Sequence, residues 1–113
     1  MKVVINGDYG GFVLSNQAIR RLFELKGWKC VEEITKYDYT LFYKDYKAED
    51  SLFTETDLKR NDAELVRVVE ELGEAASGKF SSLKVVEIPE DVKWHISEYG
   101  GLEHVAEDHR TWY

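Results

Sequence analysis

A β-branched run, Val3-Val4-Ile5, leads into Asn6-Gly7-Asp8-Tyr9-Gly10-Gly11-Phe12, and a capped amphipathic helix starts after Ser15. Three glycines in five positions let a backbone turn sharply, reach positive φ or approach a ligand closely. A strand, a glycine-rich turn and a helix N-terminus in succession can form a small anion-binding cup. The spacing fits neither the Rossmann fingerprint nor the P-loop, whose lysine is missing. Two readings of the loop remain. In one, Gly10-Gly11 makes a tight connection and Phe12 plugs the core. In the other, backbone N–H groups meet a phosphate or a ribose. Asp8 weighs against the second, because a carboxylate in the cup competes for those donors.

The apolar run predicts a strand over Lys2–Asn6. Ser15 is a good N-cap, Leu14 can staple onto Ile19, and Ala18, Ile19, Leu22, Phe23 and Leu25 form one face ending at Gly27. Tyr39–Lys44 is rich in strand formers and is expected to pair with the first strand. The charged, weakly patterned stretch Asp45–Lys59 reads as a long loop, or an arm that packs on a second subunit. Asn61 is expected to cap a second helix whose buried stripe is Leu65, Val68, Val69 and Leu72 and whose natural stop is Gly78. Gly73 inside that helix suggests close packing. Leu83–Ile88 and Val92–Glu98 form the clearest strand pair, joined at Pro89-Glu90-Asp91, with Val92, Trp94 and Ile96 on one face. The expected fold is α+β: one antiparallel sheet of about four strands with two helices packed on one face, in a single domain spanning residues 1–113.

At 113 residues, 43% hydrophobic and 13% aromatic, the chain has enough apolar material for one core. A net charge of −7 argues against a general DNA or RNA binder, whose clustered cations must displace counterions. A small anionic ligand is not excluded, since it feels a local pocket more than the mean field. The lone Cys30 cannot form an internal disulfide, and no apolar run reaches membrane-spanning length. With no secretory pattern at the N-terminus, a cytoplasmic location without membrane contact is expected.

Catalytic signals are weak. Cys30 has no histidine partner nearby in sequence, and no Gly-x-Ser-x-Gly elbow exists. A metal would need His104, Glu107, Asp108 or His109, yet histidines five apart do not share a helical face. Glu70-Glu71 and Glu90-Asp91 read as solvated charge. The tail His109-Arg110-Thr111-Trp112 joins a fixed cation to a stacking surface, which are the parts a nucleotide requires. Phe80, beside Lys79, offers a second stacking wall. The plainer account of the tail pairs Arg110 with an acidic neighbour and closes the core with Trp112.

Four blocks carry a resemblance: Asn6–Ser15, Val68–Phe80, Leu83–Pro89 and His109–Trp112. Together they resemble a family of small proteins carried by bacteriophages and prophages, the first type of Thoeris anti-defence proteins. The likeness covers most of the chain except about residues 28–60. It implies a non-enzymatic sponge that sequesters the cyclic ADP-ribose signal made by a host TIR-domain enzyme in the bacterial cytoplasm; related members hold cyclic oligonucleotide signals in separate pockets of a larger assembly. Asp8 and Val13 depart from the family pattern, which has an uncharged residue and a small residue there. The expected ligand-binding residues are Asn6, Tyr9, Gly10, Gly11, Phe12, Phe80, His109, Arg110 and Trp112. Phe80 would stack on adenine and Arg110 would meet the pyrophosphate. A homo-oligomer is expected, with no cofactor, metal or catalytic residue. Two other classes compete with this reading. An acidic phage protein that inhibits a host defence enzyme (CRISPR-type or other) by direct contact suits the −7 charge, and a small cyclic-nucleotide hydrolase lacks the metal and nucleophile patterns it needs.

Overall fold

Strand β1 (Lys2–Asn6) is apolar without alternation because both its faces are covered; Val3 and Val4 have no exposed surface. The computed structural model describes residues 1–108, and in it the chain is a mixed α+β fold with two helices and six strands. The remaining elements are α1 (Asn16–Lys26), β2 (Val31–Ile34), β3 (Thr40–Tyr43), α2 (Ala63–Leu72), β4 (Leu83–Glu87), β5 (Trp94–Tyr99) and β6 (Leu102–Glu107). Short 3₁₀ turns cover Glu49–Ser51, Glu55–Asp57 and Gly73–Ala76.

The α+β class stands, but the single four-stranded sheet does not. The strands pair as three two-stranded antiparallel sheets, β1–β4, β2–β3 and β5–β6. Tyr39–Lys44 was expected beside the first strand; instead β3 pairs β2 across the Thr35–Tyr39 turn, where loop closure is cheap. Nor do the segments flanking Pro89-Glu90-Asp91 pair with each other. β4 runs antiparallel to β1, with Val4 opposite Val85, and the pairing extends to the Ile88 N–H donating to the Met1 carbonyl at 2.8 Å. β5 instead folds back on β6 through Gly100 (φ 59°) and Gly101 (φ 95°). Positive φ at both central residues is what a two-residue type I′ hairpin requires.

α2 lies against β1 and β4, and α1 packs on α2. The end signals of α1 behave as its sequence indicates. Ser15 Oγ accepts from the Ala18 amide, and Gly27 takes the left-handed conformation (φ 73°) while the Trp28 amide donates to the Phe23 carbonyl. α2 departs at both ends. Its cap is Asp62, one residue later than expected, because Asp62 Oδ1 accepts from the Leu65 amide while Oδ2 takes Lys26 Nζ at 2.7 Å. It stops at Leu72 rather than Gly78: Gly73 adopts φ 57°, and nothing would contact a side chain placed there. Conformation, not close packing, explains that glycine.

The core is continuous from Val4 and Leu83 through Ala18, Leu22, Leu65 and Val68 to Phe42 and Phe53. Phe23 is its aromatic centre, meeting Trp28 at 5.1 Å, Phe53 at 5.3 Å and Phe42 at 6.0 Å, all edge to face. The stretch expected to be a loop or an arm is therefore part of this core. Its backbone runs along the outer edge of β3, with the Phe53 amide donating to the Phe42 carbonyl and the Lys44 amide to the Ser51 carbonyl, both at 2.8 Å. Hydrogen-bonded pairs between Arg20 and Glu32 and between Arg21 and Glu71 tie α1 to β2 and to α2.

Phe53→Ala should cost about 3 kcal/mol, the low end for truncating a buried aromatic. Urea unfolding should show the midpoint falling with the slope unchanged. An arm awaiting a partner would leave monomer stability within about 0.5 kcal/mol of the parent.

Candidate functional site

Four segments meet at one end of the molecule: the glycine loop after β1, residues 55–60 before α2, residues 77–82 before β4, and the β5–β6 turn. Asn6 locks three of them. It is fully buried, and its Nδ2 donates to the Asp8 and Gly101 carbonyls at 2.7 and 2.8 Å. Its Oδ1 accepts from the Ser82 amide at 2.9 Å and the Asp8 amide at 3.2 Å. All the bonding capacity of the amide group is thus used inside the protein, and Asn6 shapes the loop from behind. Ser81 adds a second tie, its Oγ donating to the Gly11 carbonyl at 2.6 Å and accepting from the Val13 amide at 3.0 Å.

At three of the glycines, Gly10, Gly78 and Gly101, close neighbours leave no room for a Cβ. One at Gly10 would overlap the Phe80 carbonyl; one at Gly101 would sit 2.5 Å from the Tyr9 carbonyl oxygen. At Gly78 it would sit 2.5 Å from Val13 Cγ1, so Val13 is accommodated by a glycine across from it. Asp8 does compete for the cup: its Oδ1 takes the Tyr9 amide at 2.7 Å.

Behind the loop lies an ion pair. Arg60 forks onto Glu103, with Nη1 to Oε1 at 2.6 Å and Nη2 to Oε2 at 2.8 Å. Glu103 Oε1 also receives the Asn6 amide at 2.8 Å. The Arg60 guanidinium lies 3.7 Å from the centre of the Phe12 ring. The Arg60 carbonyl accepts from the Val4 amide, so this pair covers the edge of β1 not used by β4. Burial alone would push the Glu103 carboxyl up, but the Arg60 fork and the Asn6 amide outweigh it and hold the group below the ordinary 4.5.

A cavity of about 420 Å³ opens beside this pair, lined among others by Gly11, Phe12, Glu55, Arg60, Glu98 and Gly101. Among the described residues, the amides of Gly10, Gly11 and Phe12 make no hydrogen bond, although those of Gly7, Asp8, Tyr9, Val13 and Leu14 all do. Three consecutive donors are thus unspent where two of their residues line the cavity. Next to the loop, Phe80 is held at φ 63° and is 71% exposed. Tyr9 and Tyr99 are exposed at the same end, Tyr9 against Gly100. Phe80 is thus spent on neither core nor cap.

Of the expected site residues, the structure brings together Asn6, Tyr9, Gly10, Gly11, Phe12 and Phe80. His109, Arg110 and Trp112 lie outside the described residues. Sequence reasoning passed over Arg60, Glu55, Glu98 and Glu103. The available signal was the hairpin turn at Gly100-Gly101, which makes Leu102–Glu107 a strand and points Glu103 to the face opposite Leu102. Elsewhere, burial pushes the Cys30 thiol up, which disfavours the thiolate needed by a nucleophile. No helix among the described residues is long and apolar enough to cross a membrane.

Because its folded-state value is depressed, the Glu103 carboxylate contributes stability in full above pH 4.5 and loses it as pH falls through the lower folded value. Glu103→Gln should therefore lower stability at pH 7 by about 2 kcal/mol and flatten the acid side of the stability–pH curve. Denaturant titrations between pH 3 and 7 test this, with the residual slope coming from Asp62, Glu32 and Glu71, all likewise depressed. Parallel curves for the two proteins would remove the ion pair from its linking role.

No family model matches the chain, and neither a curated protein nor a solved structure matches it at a significant level.

Proposed function

We propose that this protein is a phage counter-defence sponge that binds a cyclic ADP-ribose-type immune signal and holds it without chemical change. The observation that carries the reading is the run of three amides, Gly10 to Phe12, that have no partner among the described residues, beside a cavity of about 420 Å³ and next to the exposed ring of Phe80. Backbone donors, a concave surface and an aromatic face are the parts that hold a nucleotide through polar contacts and stacking. The four sequence blocks that resemble the first type of Thoeris anti-defence proteins supply the ligand class.

In this reading Phe80 stacks on adenine and Arg110 meets the pyrophosphate. A homo-oligomer belongs to the proposal because a chain this small gains wall surface for a site from a second copy. Sequestration then follows from slow release out of a preorganised pocket.

A second reading, an inhibitor that contacts a host enzyme directly, draws support from the β2–β3 turn. Ile34 is 77% exposed there, beside exposed Tyr37 and Tyr39.

Incubation with TIR-derived cyclic ADP-ribose, ultrafiltration and heating of the retained fraction separates the readings. Release of the intact signal is expected, and Phe80→Ala should weaken retention at least about tenfold while the thermal melt stays cooperative. An altered product would make the protein an enzyme. No retention, with a host protein co-purifying, would favour the inhibitor.

A further inference from the structure

The groups around the cavity do not suit a phosphate. Among the described residues that line it, the one cation is Arg60, which is neutralised by the Glu103 fork at 2.6 and 2.8 Å. Two more carboxylates, Glu55 and Glu98, line the same space. They are only lightly engaged, Glu55 Oε1 with the Leu14 amide and Glu98 Oε1 with the Gly101 amide, each at 3.4 Å. An anionic oxygen placed here would face two uncompensated negative charges in a molecule that already carries −7.

Yet Gly11 and Phe12, which also line it, have amides without a partner among the described residues, as does adjoining Gly10. The cavity lining therefore combines strong acceptors, the carboxylates of Glu55 and Glu98, with two residues whose backbone donors have no partner among the described residues. A hydroxyl group satisfies both at once, because it donates one hydrogen bond and accepts two. A ring bearing several hydroxyls satisfies both repeatedly. Carboxylates taking ribose hydroxyls are the chemistry by which dinucleotide folds select a sugar.

We propose that this cavity is a ribose subsite: Glu98 and Glu55 accept from the sugar hydroxyls, and the amides of Gly11 and Phe12 donate to sugar oxygens. The subsite rests on the nucleotide-signal reading above and deepens it, by placing the sugar here and the phosphates elsewhere. Specificity for the ribose then comes from exposed Glu98 and half-buried Glu55, neither of which belongs to the apolar core. The negative surface becomes part of the recognition rather than an obstacle to it.

The test titrates isotope-labelled full-length protein with three probes, read by amide and arginine side-chain NMR signals: TIR-derived cyclic ADP-ribose, adenosine and inorganic pyrophosphate. Cyclic ADP-ribose and adenosine should shift the Gly11, Gly101 and Arg60 Nε signals in a saturable way, and pyrophosphate should leave them unmoved. Glu98→Gln should weaken cyclic ADP-ribose binding by roughly tenfold, the scale of one charge-assisted hydrogen bond, with an unchanged circular dichroism spectrum. If cyclic ADP-ribose binds but leaves these three signals in place, or if pyrophosphate moves them, the subsite is wrong and the nucleotide reading stands. If cyclic ADP-ribose does not bind, both fall.

Discussion

Glu103 is an acidic side chain only 7% exposed, and three segments distant in sequence converge on it. The end of β1 gives it the Asn6 amide, the segment before α2 gives it the Arg60 fork, and the β5–β6 hairpin carries it there. A buried ion pair gains little net energy over an apolar equivalent, since desolvation offsets most of the attraction. Its effect here is positional. A carboxylate that must find both an amide and a guanidinium permits one placement of the hairpin against β1. The cavity walls come from these same segments, so the site exists only while that placement holds.

The glycine loop inherits its rigidity from this arrangement. Asn6 fixes its start and Ser81 its end, and Gly10, Gly78 and Gly101 let three backbones approach more closely than any side chain would allow. What such a loop leaves over is informative. Amides on either side of the Gly10–Phe12 run are bonded, so the gap sits within an ordered loop. A ligand meeting donors already held in place loses little ordering entropy on binding. In the proposed reading, an acidic protein takes up a nucleotide by offering neutral dipoles and carboxylates to separate parts of it.

Local features were legible in the sequence, and partnerships between distant segments were not. Ser15, Gly27 and the Val3–Ile5 run gave correct boundaries for α1 and β1 because caps and periodicity act within a few residues. Pairing of β1 with β4 could not be read, since it depends on which of several apolar strands best covers a fully buried one. The Gly100-Gly101 turn was visible but was not used to fold β5 back on β6, and with it went Glu103. Phe53 was lost for a different reason: one aromatic among charged residues carries no periodic signal, yet Phe23 and Phe42 need it to fill the core. For the site, the glycine loop and Phe80 stood out as residue types in odd surroundings, whereas Arg60 and Glu98 resemble any exposed charge until the fold brings them together.

Hydrogen exchange at three backbone amides tests most directly whether the loop is a ligand site. In the free protein Gly10, Gly11 and Phe12 should exchange fast, and the bonded Tyr9 and Val13 slowly. Adding TIR-derived cyclic ADP-ribose should slow the three by about tenfold or more and change their neighbours less. Retention of the signal with exchange at all three unchanged would contradict the account.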